Sequence, residues 1–256
     1  MRLSRERSES GVYHVILRGI NRQDIFYDDD DYQRFLKTID QMKSDDQFLI
    51  YGYCLMTNHL HLLIREKIDT ISRIISRIGT SYAWWYNQKY GRSGHVFQGR
   101  FKSECVENDN YLLAVIRYIH NNPVKAGMVQ EPEEYRWSSI HAYYGTREYP
   151  HGLSEPSFVL GIINQDKERA KQAFKEFMKR ENEDKCLEYE ARQRKTDSEV
   201  KIEIEKLMRG EPIGMLQGME RKKRNEILKK IRTEDGVSLR QISRVTGLSV
   251  DIVFNA

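Results

Sequence analysis

The sequence predicts an α+β fold, an antiparallel sheet packed with helices, followed by an all-α C-terminal extension. Short runs rich in β-branched, aromatic and aliphatic residues, typical of strands, occur up to about residue 106. Segments with apolar residues at helical spacing separate these runs. From about residue 154 onward the pattern is helical and strongly polar. We therefore expect a mixed domain at 1–150, a helical connector at 151–200 and a further helical region at 201–256, whose last segment suggests DNA binding below.

The first strand is predicted over residues 12–17, and the polar loop 18–22 ends it. A helix follows, because the consecutive aspartates at 28–31 suit a helix N-terminus. The apolar residues after them recur at helical spacing and would face the sheet. They are Tyr32, Phe35, Leu36, Ile39 and Met42.

The next predicted feature is a hairpin over residues 48–65, because only Thr57 and Asn58 separate two strand-like runs. A second helix is expected from about 70 to 90. After a glycine-containing break, residues 95–106 are predicted to form a bent fourth strand.

A third helix is predicted over residues 111–119, capped by Asn108 or Asp109 and ended by Pro123. The order is then strand, helix, strand, strand, helix, strand, helix. This order is typical of a ferredoxin-like antiparallel sheet with helices on one face. The hairpin would supply central strands, so a site on them would be exposed or roofed by the last helix.

The C-terminal segment 237–250 has the pattern of a helix-turn-helix, with a glycine in the turn and Ser249 capping the second helix. In a DNA-binding module this second helix would enter a groove, and we expect Arg240, Gln241 and Ser249 to contact DNA. The alternative is a plain helical hairpin. The second helix would be only about two turns long in this sequence, so the module would be truncated or weak.

Composition limits the possible classes of protein. No run approaches the ~20 apolar residues needed to span a bilayer, and the polar first residues lack a signal-peptide core. The three scattered cysteines argue against a disulfide scaffold or a zinc cluster. We therefore expect a cytoplasmic protein with no membrane partner.

Charge is unevenly distributed along the chain. Residues 24–46 carry a net charge of −5, residues 65–125 a net charge of +5, and residues 201–256 a net charge of +4. The two basic regions would attract an anionic polymer such as a nucleic acid, although such charge runs are usually solvated surface.

Two histidines in the hairpin are the first candidate site residues. His59 and His61 are two residues apart on a strand, so their side chains point to the same face. Two imidazoles placed in this way can bind one divalent ion. The alternative is a half-buried polar pair without a ligand. His14, on the first strand, is expected to be packed or hydrogen-bonded rather than a third ligand.

The third helix supplies the candidate nucleophiles. Tyr111 and Tyr118 are seven residues apart and share a helical face. Asn122, four residues after Tyr118, would join that face if the helix persists through it. A tyrosine that attacks a phosphodiester stores the bond energy as a phosphotyrosine, so that a strand can later be rejoined. Spacing alone does not choose between the tyrosines, and most tyrosines simply pack their rings.

Several motifs together resemble the single-tyrosine HUH transposases, the IS200/IS605-like enzymes and, more closely, the REP-associated tyrosine transposases. The resemblance covers roughly residues 11–145. The motifs are His59-Leu60-His61, the segment from Tyr118 through Asn121-Asn122-Pro123 to Gly127, Tyr13-His14-Val15, Arg18-Gly19-Ile20-Asn21-Arg22 and Gly99-Arg100-Phe101-Lys102.

The resemblance implies a role for each matching residue. Tyr118 corresponds to the nucleophile that forms a 5′-phosphotyrosine on single-stranded or hairpin DNA. His59 and His61 correspond to the ligands of a divalent metal, Mg²⁺ or Mn²⁺. Asn122 takes the place of a further polar ligand, although an amide is a weaker donor than a carboxylate or imidazole. DNA contacts are expected from Arg18, Asn21, Arg22, Arg100, Lys102 and Lys125.

Three functions remain open from the sequence. The first is a metal-dependent transposase that cleaves and joins single-stranded DNA, acting as a monomer or a homodimer. The second is a catalytically idle regulator that binds DNA through the same fold and the helix-turn-helix. The third, nicking in replication or plasmid mobilisation, is less favoured because the histidines precede a single tyrosine in a compact arrangement.

Overall fold

The computed structural model describes residues 5–43, 47–146, 148–180, 186–187, 195, 197–234 and 237–256. It divides the chain into two compact units, Met1–Tyr189 and Glu190–Ala256. The boundary differs from the predicted divisions at 150 and 200. Two helices from the predicted connector bury Val159, Leu160, Phe174 and Met178 in the core of the first unit, so this segment is not a free-standing linker.

The first unit confirms the predicted α+β class. Its strands are β1 (Val12–Arg18), β2 (Phe48–Leu55), β3 (His59–Glu66) and β4 (Lys102–Cys105). Its helices are α1 (Asp29–Lys43), α2 (Ile71–Lys89), α3 (Asp109–Lys125), α4 (Ile140–Tyr143), α5 (Pro156–Ile163) and α6 (Lys167–Lys179). The sheet is antiparallel in the order β2-β3-β1-β4, which places the histidine strand β3 at the centre.

The register decides which side chains share a face. On β1 and β3, Arg18 pairs with His59 and Ile16 pairs with His61. His14 pairs with Glu104 on β4. Because paired residues in an antiparallel sheet point to the same side, Arg18, His14, His59, His61 and Glu104 lie on one face.

Helices cover both faces of this sheet rather than one. The rings of His14 and His61 contact Tyr118, so α3 roofs the face that carries the histidines. Leu17 points to the opposite face, where a Cβ added to Gly79 of α2 would lie 3.9 Å from its Cδ2. The two alternatives left by the sequence are thus resolved in favour of a roofed site.

The predicted fourth strand over 95–106 is mostly not a strand. Within residues 95–106, the part that pairs with β1 as a strand is β4. Upstream of β4, Phe97 forms an isolated bridge with Gly19. Between the two, Gly99 has φ +60°, a left-handed conformation that interrupts an extended chain. The segment before Gly99 therefore follows the end of β1 without continuing the ladder.

The third helix is longer than predicted. The Asn108 side chain accepts from the Tyr111 amide at 2.9 Å, which confirms the cap. Pro123 does not end α3, because a proline in the last turn removes only one amide donor. The helix ends at Lys125, and Gly127 follows with φ +68°. Asn122 is therefore helical and lies one turn beyond Tyr118.

The second unit is all-helical, as predicted. Its helices are α7 (Asp197–Leu207), α8 (Met215–Gly218), α9 (Arg221–Thr233), α10 (Leu239–Thr246) and α11 (Val250–Phe254). They enclose a separate core that includes Ile204, Leu228, Ile242 and Val253. No helix in the described part of the chain combines the length and apolar character needed to cross a bilayer.

Candidate active site

The sheet and α3 enclose a cavity of about 580 Å³ on the histidine face. Six of the side chains named from the sequence line it together: Arg18, His59, His61, Tyr118, Asn122 and Lys125. They come from β1, β3 and the last two turns of α3, including the residue at its end. The rest of the lining comes mainly from the β2–β3 turn and the residues that follow α3.

The two strand histidines are adjacent, with ring centroids 5.2 Å apart. His59 Nδ1 lies 2.7 Å from the Asn58 side-chain oxygen, which holds the ring by its inner nitrogen. His61 Nε2 lies 3.3 Å from Asn122 Nδ2. A further hydrogen bond joins His59 and Asn122. Asn122 thus contacts both imidazoles from the helix above.

Burial keeps both histidines neutral. Desolvation, aided by the nearby Arg18 guanidinium, lowers the pKa of His59 to about 4. His61 is almost fully buried, and desolvation together with His14 and His59 holds its pKa well below the usual range. A neutral imidazole is the form that binds a metal ion, so both residues have that form at neutral pH.

Tyr118 reaches the same cavity from α3. Its ring centroid lies 5.5 Å from that of His61 and 5.9 Å from that of His14. Lys125 Nζ lies 4.8 Å from the centre of the Tyr118 ring. The tyrosine, the histidines and the Lys125 ammonium group therefore converge within one chain. By contrast Tyr111, the other candidate nucleophile, hydrogen-bonds to Glu104.

Two polar residues beside the cavity were not assigned a site role from the sequence. His14 is fully buried; its Nε2 lies 3.0 Å from His61 Nδ1 and its Nδ1 lies 2.7 Å from Glu104 Oε1. The sequence correctly predicts a hydrogen-bonded His14, but it does not indicate the partners. Only the pairing of β1 with both β3 and β4 brings these three side chains together.

The remaining candidate DNA contacts of the first unit lie outside this cavity. Asn21 and Arg22 are exposed in a short turn after β1, both with positive φ. Lys102 is on β4, opposite Ile16 and hence on the histidine face. Arg100 lines a separate groove of about 700 Å³ beside α2, together with the exposed Trp84.

In the second unit the three candidate contacts differ from one another. Arg240 is exposed at the start of α10, and the Ser249 hydroxyl caps α11 by accepting from Ile252 N. Gln241 is buried, and its amide donates to Lys195 O and Asp197 Oδ1. The buried amide of Gln241 joins α10 to α7, so the prediction that Gln241 contacts DNA is corrected: this side chain has a structural role.

The cavity contains nitrogen and oxygen donors that could bind a divalent cation. In the described residues no group of three or more His, Cys, Asp or Glu side chains is arranged as a metal site. The cavity offers two neutral imidazoles and one amide, whose oxygen and nitrogen could exchange places by rotation. This set fits a divalent ion that keeps its other positions for water and phosphate oxygens, and the nitrogen donors suit Mn²⁺ better than Mg²⁺.

In this cavity two histidines of an antiparallel sheet lie beneath a tyrosine of α3. Residues 8–122 match the family described as "Transposase IS200 like". This stretch of the chain is therefore similar to that transposase family. It contains β1 to β4, both histidines and Tyr118.

Two further comparisons found similar proteins. A Haemophilus influenzae protein named "Putative REP-associated tyrosine transposase" is 29% identical over 115 residues, which are 40% of this chain and 65% of the relative. The match thus spans slightly less than two thirds of that relative. A solved REP-associated tyrosine transposase bound to a REP hairpin is 22% identical, with a TM-score of 0.48, over 61% of this chain and 89% of the other.

Proposed function

We propose that this protein is a metal-dependent tyrosine transposase that cleaves and rejoins single-stranded DNA at a hairpin or palindrome. The observation that carries the proposal is the single cavity shared by Tyr118, His59, His61 and Asn122. A catalytically idle DNA-binding regulator has no chemical need for a phenol, two neutral imidazoles and an amide in one cavity. The relative named for REP-associated tyrosine transposases supports the same class of substrate.

In the proposed reaction the Tyr118 oxygen attacks a backbone phosphorus of the DNA. A bond forms between Tyr118 and the 5′-phosphate, and the bond from phosphorus to the 3′-oxygen of the preceding nucleotide breaks. The Tyr118 hydroxyl loses its proton as its bond to phosphorus forms, and the departing 3′-oxygen takes up one proton to become a hydroxyl. Attack of a 3′-hydroxyl on the phosphotyrosine reverses the step and joins two DNA ends.

The other residues of the cavity position the reacting phosphate. His59, His61 and Asn122 would hold a divalent cation, which would polarise the phosphate and stabilise the leaving oxygen. Lys125 and Arg18 line the same cavity and supply positive charge for the DNA backbone. Exposed Asn21 and Arg22, next to Arg18, would contact the DNA around the hairpin.

The second unit would add a DNA contact through Arg240 at the start of α10. Its α10–turn–α11 arrangement has the left-handed Gly247 and the Ser249 cap that a helix-turn-helix requires. However, α11 has only five residues, which limits how far it could enter a groove. We therefore assign this unit a supporting role in DNA binding.

The proposed function is tested by trapping the covalent intermediate. The full chain is incubated with Mn²⁺ and a labelled single-stranded oligonucleotide that contains a hairpin, and the products are separated under denaturing conditions. We expect a protein–DNA adduct that disappears in Tyr118→Phe and after chelation of the metal. Tyr149→Phe, at an exposed tyrosine outside the cavity, is the matched control and should retain it. DNA binding without an adduct, across several hairpins and metals, would identify the regulator instead.

A further inference from the structure

A line of hydrogen bonds runs behind His61, away from the cavity. Glu104 Oε1 lies 2.7 Å from His14 Nδ1, and His14 Nε2 lies 3.0 Å from His61 Nδ1. The two imidazole rings are nearly parallel, with an interplanar angle of 23°. These contacts connect the edge strand β4, through β1, to the central strand β3. None of the roles assigned above to the cavity residues explains them.

The carboxylate at the start of the line restricts the protons along it. An ionised Glu104 can only accept, so the proton between it and His14 must belong to His14 Nδ1. Burial opposes ionisation of Glu104, but hydrogen bonds from His14 and the Leu187 amide lower its pKa below the usual value. When His14 carries one proton and that proton lies on Nδ1, its Nε2 is bare and can only accept.

The position of the proton on His61 follows from that on His14. Because His14 Nε2 accepts, the proton between the two rings belongs to His61 Nδ1, and His61 Nε2 is left with a free lone pair. The Asn122 side-chain amide lies 3.3 Å from that nitrogen, at the wall of the cavity. The lone pair therefore points into the cavity shared with Tyr118.

We infer that Glu104 and His14 are positioning residues that hold His61 in the tautomer whose Nε2 can bind a metal ion. The inference rests on the proposed metal-binding role of His61, and it adds two residues that are not among the ligands. Hydrogen bonds of this kind orient a ligating imidazole and increase its basicity, and their loss typically weakens metal binding about 10–100-fold. His59 needs no such line, because the Asn58 side-chain oxygen accepts from its Nδ1 directly.

An opposite proton arrangement gives the clearest contrast. A doubly protonated His14 would point its Nε2 proton at His61. His61 would then accept through Nδ1 and carry its own proton on Nε2, where a metal could not bind. The two arrangements differ in which ring nitrogen of His61 carries the proton, and this can be measured without DNA and without metal.

The first test reads the tautomer of His61 directly. In the full chain with ¹⁵N-labelled histidine rings and no metal, NMR correlations show which ring nitrogen carries the proton. We expect Nδ1–H in the wild type. Glu104→Gln, whose amide can donate as well as accept, should admit the Nε2–H form. His14→Phe removes the acceptor, and His14→Gln should restore the wild-type tautomer because its side-chain oxygen lies near the position of Nε2.

The second test measures metal affinity rather than activity. The dissociation constant for Mn²⁺, read from the EPR signal of free Mn²⁺, should rise about 10-fold or more in Glu104→Gln and His14→Phe. Glu107→Gln is the matched control, because Glu107 follows β4 at the same edge of the sheet and, among the described residues, accepts hydrogen bonds from residues 8–10. Its affinity should equal that of the wild type, and His14→Gln should recover part of the loss.

Two results would overturn the inference. One is His61 with its proton on Nε2 in the wild type. The other is Glu104→Gln with both the tautomer and the Mn²⁺ affinity unchanged. If the wild type binds no Mn²⁺ at all, the metal in the proposed function fails, and the nitrogen spectra alone then decide whether Glu104 and His14 set the tautomer.

Discussion

Burial lowers the pKa of three histidines in this protein, His59, His61 and His120. His120, on α3, is fully buried beneath α6 and lies 2.8 Å from the Ser139 hydroxyl through its Nε2. Desolvation, with a smaller contribution from His141, lowers its pKa to about 3. His59 and His61 at the site are shifted in the same direction. The histidines are therefore neutral in the folded chain and become protonated on unfolding in mild acid.

This shift makes stability depend on pH. Below a pH of about 6.5 the unfolded chain takes up a proton at His120 that the folded chain does not, so the free energy of unfolding falls as the pH falls. Between pH 7 and 5 the loss from one such histidine is about 2 kcal/mol. His120→Gln should reduce that pH dependence by a similar amount.

The pH dependence is measured by urea unfolding at several pH values, followed by tryptophan fluorescence. Because His120→Gln changes stability at neutral pH as well, the difference between pH 7 and 5 is the relevant quantity. An equal difference in the variant and the wild type would show that His120 titrates normally in the folded chain.

At the scale of the elements, the end of β1 depends on a close approach of two backbone segments. Gly19 donates its amide to Asn58 O at 2.8 Å and directly precedes the turn that carries Asn21 and Arg22. A Cβ built on Gly19 would lie 2.1 Å from Gln23 O and 2.9 Å from Ile25 Cγ2. The first of these neighbours is backbone, so the turn would have to move.

We expect Gly19→Ala to lower the free energy of unfolding by about 1–3 kcal/mol, the usual range for an overpacked site. It should also weaken binding of the hairpin oligonucleotide, because the displaced turn carries the proposed DNA contacts. Gly161→Ala is the matched control, since Gly161 lies in α5 with no atom within 4 Å of an added Cβ. Urea unfolding and a binding titration on both variants provide the comparison, and equal stability of the two would contradict the predicted clash.

The whole molecule has two hydrophobic cores of very different size. The core of the first unit includes buried residues of β1, β2 and β3 and of α1 to α6, and Cys105 of β4 packs against it. Among the described residues of Glu190–Ala256, ten buried side chains form the core of the second unit. A small core gives little stabilisation beyond the entropy of ordering its chain, so the second unit should be the less stable one.

We therefore predict two unfolding transitions in urea. All three tryptophans, Trp84, Trp85 and Trp137, belong to the first unit. Far-UV circular dichroism should show an early loss of helix at urea concentrations where tryptophan fluorescence does not change. Coincident transitions by the two methods would show that the units unfold together.

Much of this architecture could be predicted from the sequence because it depends on local patterns. The strands and helices up to residue 90 follow from residue composition, spacing and turn residues, and the Asn108 cap follows from its side chain. The predicted bounds of the fourth strand and of the third helix were wrong, in each case because of a single residue. Gly99 interrupted the fourth strand, and Pro123 was accommodated in the last turn of α3.

By itself the sequence determined the ferredoxin-like order of elements, the shared face of His59 and His61, and the resemblance that selects Tyr118 over Tyr111. The first two depend on spacing along a strand or helix, which the chain carries locally, whereas the preference for Tyr118 depends on the motif around it. The tertiary structure alone decided that α3 roofs the histidines, that Gln241 is buried, and that Glu104 reaches His61 through His14. The two hydrogen bonds of His14 join residues 47 and 90 positions apart, and the pairing register of the sheet brings these residues within hydrogen-bonding distance.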